Sequence, residues 1–202
     1  SIGKYHQLIL NKYPVQLGHI LLITNEWKEQ NGWIDIKDWE AIKEVNKDTT
    51  GLWFFNSGPL AGASQPHRHI QLLRREPLES SCPREKWILD FNNVNYQNQK
   101  FSKNIILKKF SKTLNEENIH EIYKDLSYKL GLGEPKVDKK PKYPYNLIFT
   151  NHWMLLIKRK TDNLYGISVN ALGFAGYILV TEESDIKYLK KFGPEKLLEN
   201  FL

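Results

Sequence analysis

The stretch Asn56-Ser-Gly-Pro-Leu-Ala-Gly-Ala-Ser-Gln-Pro-His-Arg-His-Ile-Gln71 sets two alternating histidines directly after glycines and small hydroxyl and amide side chains. Along an extended strand successive side chains point to opposite faces, so His67, His69 and Gln71 share one face and Arg68, Ile70 and Leu72 the other. Gly58, Gly62, Ala63 and Ser64 leave room for backbone N–H groups to approach an anion, and Asn56, Ser64 and Gln65 can add side-chain donors. An imidazole is largely neutral near pH 7 and carries a lone pair. Donors and imidazole thus converge on one spot, a phosphate cradle feeding a nucleophile. The rival readings are a satisfied strand histidine and a metal pair. Two histidines at i, i+2 can ligate zinc, yet Gln71 is a poor third ligand and no acid or thiol has a fitting spacing, so no protein-bound metal is expected.

The elements that must hold this stretch are read in chain order. Residues 6–11 and 19–24 are short apolar runs flanking Pro14 and Gly18, a β-hairpin with a long loop. Ile36, Trp39, Ile42 and Val45 recur at three-residue spacing, with Asp35 or Asp38 as N-cap, giving a helix over 35–46. Residues 52–56 and 66–75 read as two strands joined by the glycine-containing stretch. A short helix is expected from Pro83 to Phe91, an amide-rich loop over 93–100, a strand over 105–110 and a helix from Asn115 to Leu130. Residues 131–144, rich in glycine, proline and charge, form a connector. Two further strands, 145–150 and 153–158, flank Asn151-His152. Ser184 is the expected cap of a C-terminal region that Gly193-Pro194 breaks into two short helices. Strands, hairpins and helices are interspersed, so the fold class is α+β with an antiparallel sheet flanked by helices. The chain divides into 1–130 carrying the motif, the connector 131–144 and a second half 145–202 packed on the same sheet, as one structural unit.

The 202 residues, 41% hydrophobic, suffice for one sizeable core. Lys+Arg 29 against Asp+Glu 23 gives +6, which favours an anionic ligand without selecting its class. Cys82 is alone, so there is no disulfide framework or Cys-based zinc site, and a reducing, cytoplasmic setting is expected. No run approaches a membrane span. Met154 is the only methionine, so the natural chain is expected to be processed or to begin upstream of Ser1. Composition sets no oligomeric state.

The spacing Asn56-x-Gly58, then Gly62-x-Ser64-x-Pro66-His67-x-His69-x-Gln71, with Asn11-Lys-Tyr-Pro-Val-Gln-Leu-Gly-His19 upstream, resembles the histidine-triad superfamily in its transferase branch. Arg68 and Ile70, together with 146–158 and Asn170-Ala-Leu-Gly-Phe-Ala-Gly176, are similar to the diadenosine tetraphosphate phosphorylases, or ATP adenylyltransferases, over nearly the whole chain. The resemblance implies a histidine-triad-like sheet of two fused halves. It implies His69 as nucleophile toward an α-phosphate, with Gln71 holding the oxygens of the transferred group; His67 is read as orienting the site or bonding a phosphate, with packing as an equal alternative. Gln71 stands where hydrolases of the superfamily have a third histidine, which favours transfer over hydrolysis. By the same resemblance Asn11 contacts a ribose with Lys12 beside it, where the bland reading of Asn11 is a turn cap. Met154 and Lys158 are implied as base-side and phosphate contacts, although by pattern alone they read as core and a solvated strand end. The substrates implied are a dinucleoside polyphosphate, ATP, ADP and phosphate, with Mg2+ accompanying the nucleotide, and no nucleic acid or membrane. Uridylyl transfer to a sugar phosphate, conversion of adenylyl sulfate and non-catalytic nucleotide or RNA binding are the alternatives.

Overall fold

Branched and aromatic residues at alternate positions build an antiparallel sheet of seven strands. In the computed structural model, which describes residues 1–76, 78–91, 99–111 and 115–202, these are β1 (His6–Leu10), β2 (His19–Thr24), β3 (Gly51–Asn56), β4 (His69–Arg74), β5 (Ile105–Lys109), β6 (Tyr145–Phe149) and β7 (Trp153–Lys158). Their order is β1-β2-β4-β3-β6-β7-β5. A two-stranded ribbon, β8 (Asn163–Leu164) and β9 (Ile167–Ser168), turns through Tyr165 and Gly166, both at positive φ (56° and 67°). The helices are α1 (Ile36–Val45), α2 (Glu85–Asp90), α3 (Gln99–Asn104), α4 (Glu116–Lys129), α5 (Ala171–Ala175) and α6 (Ile186–Glu199).

The sheet has apolar packing on both faces. One face packs Trp53, Phe55, Ile70, Leu72 and Leu147 against Trp39, Ile42 and Val45 of α1 and Tyr123 and Leu126 of α4. The other packs Leu52, Phe54, Leu73, Ile148 and Leu155 against Ile88 of α2, Phe101 of α3, Leu172 of α5 and Leu197 of α6. β3 is buried along its whole length, as a central strand covered on both sides must be. It pairs with β4 on one side and β6 on the other, Trp53 opposite Phe149 and Asn56 opposite Asn146, so residues before and after the connector share one sheet. The connector itself is held, with Leu132 fully buried, Lys142 N–H donating to the Leu132 carbonyl at 2.8 Å and the Asp138 carboxylate accepting from Glu134 N–H at 2.8 Å.

Local chemistry accounts for the helix ends. Asp35 caps α1 by accepting from Lys37 and Asp38 N–H, and Asp38 returns a bond to the Asp35 N–H. Asn115 caps α4 by accepting from Asn118 N–H at 2.8 Å. The cap of α6 is Asp185, one residue after the expected Ser184, whose hydroxyl instead donates to the Gly166 carbonyl at 2.9 Å. Gly193, at φ 78° and ψ 167°, interrupts α6 ahead of Pro194 as the pattern required. The loop expected over 93–100 lies outside the described residues as far as 98, and from Gln99 the backbone is helical. This α3 has little periodicity, and Phe101 anchors it, buried with its ring 5.7 Å from that of Trp87.

One buried ionic cluster ties β1, α1 and the approach to β4. The Asp38 carboxylate receives His6 Nε2 at 2.8 Å and Arg68 Nη1 at 2.9 Å, and Arg68 also donates to the carbonyls of Glu29 and Trp33. Burial alone would raise the Asp38 pKa; the His6 hydrogen bond and the Arg68 charge override it and hold the group below its ordinary value of 3.8. Removing the acid strands a buried guanidinium, so Asp38→Ala is expected to cost about 3–5 kcal/mol of unfolding free energy, read by urea denaturation. Because the folded pKa is depressed, this contribution is present above the ordinary carboxylate range and fades as pH falls through it, so the deficit of the variant should shrink in acid.

Candidate active site

Where β3 and β4 part, the face carrying His69 and Gln71 opens into a cleft of about 510 Å³. The β3–β4 register runs from Gly51 opposite Arg74 to Phe54 opposite Gln71. Beyond it the gap is filled by the side chain of Gln30, whose Oε1 accepts from His69 N–H at 2.8 Å and whose Nε2 donates to the carbonyls of His69 at 3.0 Å and Asn56 at 2.9 Å. A primary amide has the donor and acceptor of a peptide group, so Gln30 supplies the missing rung while keeping the strands apart.

His69 Nδ1 lies 2.8 Å from the His67 carbonyl, an atom that only accepts, so Nδ1 carries the proton and the lone pair sits on Nε2. Burial is the main cause that lowers the His69 pKa below 6.5, which keeps the ring neutral. His19, the last residue of the upstream stretch that begins at Asn11, is part of the lining. Its Nδ1 takes Val15 N–H at 3.3 Å, so its protonated Nε2 donates to Gln71 Oε1 at 2.9 Å. Burial lowers the His19 pKa as well, against the Gln71 bond that raises it. With Oε1 occupied, Gln71 has its NH2 group left for the cleft.

Of the residues expected at the site, Asn11, Lys12, Asn56, Gly62, Ser64, Gln65, His67, His69 and Gln71 line the cleft together. Asn11 also caps its turn, its Oδ1 accepting from Tyr13 N–H at 2.9 Å. Ala63 lies in the loop between lining residues, with its N–H on the Gly58 carbonyl at 3.0 Å. His67 Nε2 is 3.0 Å from Thr24 Oγ1 and 3.2 Å from the Glu26 carbonyl, and its ring stacks under Trp27 at 5.1 Å. Met154 and Lys158 are not brought here. Met154 is fully buried in the core against α1 and α4, and Lys158 reaches over the Tyr143 ring at 5.1 Å. The reason is sheet order, because β3 and β6 stand between β4 and β7.

Several lining residues escape a reading of the sequence. Ile9, Leu10, Val15, Leu21 and Ile23 form an apolar wall on β1, β2 and their turn, opposite the polar wall of Asn56, Gly62, Ser64 and Asn170. Asn170 caps α5 by accepting from Leu172 N–H at 2.9 Å. Gly62 packs against it at φ 85°, where a Cβ would stand 2.6 Å from Asn170 Cβ. Among the described lining residues there is no carboxylate, and nowhere among the described residues do three His, Cys, Asp or Glu side chains gather as a metal site would require. Cys82 is buried away from the cleft, its thiol pushed up to about 11 chiefly by burial.

An apolar wall, hydrogen-bond donors and a neutral imidazole thus share one cleft. The model of the Ap4A phosphorylase N-terminal domain matches residues 1–88, and that of the ATP adenylyltransferase C-terminal domain matches residues 82–201, more than half of the chain. The chain belongs to the ATP adenylyltransferase family. Among relatives in this family, Protein APA1 of Saccharomyces cerevisiae is 27% identical over 203 residues, which cover 90% of this chain and 63% of that protein. Diadenosine 5',5'''-P1,P4-tetraphosphate phosphorylase 2 of the same yeast is 26% identical over 215 residues, covering 93% and 65%. The chain therefore spans less than two thirds of the length of either relative. The adenylyltransferase fold is also that of yeast Ap4A phosphorylase Apa2. Its crystal structure with AMP aligns at a TM-score of 0.70 and 22% identity over 96% of this chain and 70% of that one, and its Ap4A complex at 0.70 and 20% over 98% and 72%.

In this family member Gln30 is the residue that sequence pattern could not flag. Gln30→Leu leaves the N–H and carbonyl of His69 without partners, at about 1–3 kcal/mol for each buried group, while the Asn56 carbonyl keeps Gly58 N–H at 2.9 Å. The expected outcome is a loss of at least about 2 kcal/mol in urea denaturation, with faster hydrogen exchange at the His69 amide and unchanged protection at Leu72.

Proposed function

We propose that the cleft cleaves a dinucleoside polyphosphate, diadenosine tetraphosphate in the first instance, with inorganic phosphate to ATP and ADP, through AMP held covalently on His69. The observation that carries the reading is the tautomer of His69, which turns an unprotonated Nε2 into a cleft walled by donors. That a yeast relative is named a diadenosine tetraphosphate phosphorylase, and that crystal structures of yeast Apa2 hold AMP or Ap4A, supports the choice of substrate.

In the first step Nε2 forms a bond to the α-phosphorus, the bond from that phosphorus to the bridging oxygen of the polyphosphate breaks, and ATP leaves with the electron pair. The proton stays on Nδ1, so the imidazole ring of the adduct is cationic beside an anionic phosphoryl group, and the His67 carbonyl stabilises the ring. In the second step an oxygen of inorganic phosphate attacks the same phosphorus, the P–N bond breaks toward Nε2, and ADP leaves with His69 restored. No proton has to be relayed to or from His69 in either direction, and the two steps run equally in reverse. The amide NH2 groups of Gln71 and Asn56, with Ser64 and Gln65, are the donors for charge developing on the phosphoryl oxygens. Gln71 cannot activate water as a base would. Asn11 with Lys12, beside the apolar wall of β1 and β2, is the nucleoside side of the cleft. The carboxylate-free lining suits magnesium carried by the phosphates of the nucleotide and not by protein ligands, the metal supplying charge neutralisation along the chain. A cytoplasmic setting, where such nucleotides and reduced thiols occur together, fits the inert Cys82.

His69→Asn is expected to lower phosphorolysis of diadenosine tetraphosphate by several orders of magnitude. Quenched wild-type protein should carry an acid-labile AMP adduct, with one equivalent of ATP released per site when phosphate is withheld. Unaltered turnover in the variant overturns the reading, and faster turnover with a sugar phosphate or water as acceptor redirects it to those reactions. Since burial lowers the His69 pKa, the neutral ring persists to lower pH than a free imidazole, and kcat/KM should hold level as pH falls through 6.5 before declining.

A further inference from the structure

We infer that Asn146, a residue of β6 outside the cleft lining, is a positioning residue that fixes which end of the Asn56 amide the cleft presents. The inference rests on the reading of the cleft as a nucleotide-phosphate site.

It starts from Arg159, one residue past β7. Arg159 is 2% exposed, and among the described residues no carboxylate lies within ion-pairing distance of it. Its guanidinium donates to the carbonyls of Thr161 at 2.6 Å, Val169 at 2.7 Å and Phe201 at 3.4 Å, and it lies between the rings of Phe174 and Phe201 at 5.2 and 5.4 Å. Burial lowers its pKa to about 9, so it remains a cation at neutral pH. Its fourth acceptor is Asn146 Oδ1.

A guanidinium has donors only, so the Asn146 amide must turn its oxygen toward Arg159. Its Nδ2 then points the other way, donating to Asn56 Oδ1 at 2.8 Å and to the Ala61 carbonyl at 2.8 Å. Asn56 Oδ1 also receives Ala171 N–H at 2.9 Å. The oxygen of Asn56 is thereby claimed twice from behind the wall, and among the described residues no acceptor meets its Nδ2. Asn56 lines the cleft beside His69, so a donor is what it has to offer there. The bond to Ala61 pins the 3-10 turn at Pro59–Ala61 that leads into Gly62, so the same amide steadies the loop as well. A wall that binds phosphoryl oxygens needs donors, and the order Arg159, Asn146, Asn56 can be satisfied in one sense only.

A double-mutant cycle on the full chain tests this, with AMP and adenosine as the two probes, titrated calorimetrically, and thermal melts alongside. Asn146→Asp keeps the acceptor for Arg159 and removes the donor to Asn56. Asn146→Ala would add a cavity, so Asn146→Ser, whose hydroxyl can still donate to Asn56, serves as the conservative control. The expected result is that Asn56→Ala and Asn146→Asp each weaken AMP about tenfold, the worth of one hydrogen bond to an anion, and leave adenosine unchanged. The double variant should be no weaker than either single one, because both remove the same donor. Asn146→Ser should keep the preference for AMP. Additive losses would show that the new carboxylate acts through charge alone and overturn the inference. A parallel fall in both probes, or a Ser variant as impaired toward AMP as the Asp variant, would reduce Asn146 to a structural role. If Asn146→Asp does not fold, the Ser variant alone still decides by whether it keeps the AMP preference. A wild-type protein that binds neither probe condemns the nucleotide reading itself, an outcome separate from all of these.

Discussion

Two neighbouring strands must part to admit a ligand, and every backbone polar group that loses its partner in the parting must find another. The rest of this structure follows from how that constraint is met beside His69. The ladder between β3 and β4 ends at Phe54 and Gln71, and the amide of Gln30 stands in the gap between Asn56 and His69. Segment 28–34 is therefore part of the site although it lines none of it. Arg68 binds the carbonyls of Glu29 and Trp33 and shares Asp38 with His6, which holds Gln30 against the strand whose rung it replaces. The residue between the two histidines thus secures the segment that completes their strand.

The same economy governs protonation. Two of the imidazoles and two of the side-chain amides that line the cleft each have one end committed to a fixed protein atom. His69 gives Nδ1–H to a carbonyl, His19 takes a backbone N–H on Nδ1, Gln71 accepts from His19, and Asn56 accepts from Asn146 and Ala171. The uncommitted ends are a lone pair and two NH2 groups. Those ends offer the cleft neutral donors and one lone pair, and burial lowers the pKa of both rings.

Much of this was legible in the sequence because it is local. Alternation put His69 and Gln71 on one face of β4 with His67 just ahead of it, the glycine-containing stretch became the connection beside them, and Asn11, for which a turn cap and an implied ribose contact were rival readings, caps its turn and lines the cleft. The cap of α1, the break at Gly193 and the helix over 116–129 follow from neighbours within a few residues. What escaped depends on partners far along the chain. Gln30 meets His69 across 39 positions and Asn146 meets Asn56 across 90; Gln30 carries no periodicity or motif, and Asn146, though it opens the stretch 146–158, is assigned no role there. Leu21 and Ile23 look like ordinary strand residues in sequence, and only the fold makes them part of the cleft lining. Met154 and Lys158 went astray for the converse reason: their strand is in the sheet as expected, but two strands intervene between it and the cleft. Helix α3 was missed because a single aromatic, Phe101, holds it.

The pairing of β3 with β6 bears on how such a chain can vary. The residues matched by the two family models meet at 82–88, in sequence a natural place to divide the chain, yet the sheet crosses that boundary at its centre, through Trp53 against Phe149 and Asn56 against Asn146. A substitution at one of these positions changes the surroundings of its counterpart in the other region. Grafting the first region of one relative onto the second of another would bring together two half-sheets whose facing edges were shaped separately. The two edges act as one packing unit, and the strand that carries His69 depends for its surroundings on the region after the connector as well as on the motif itself.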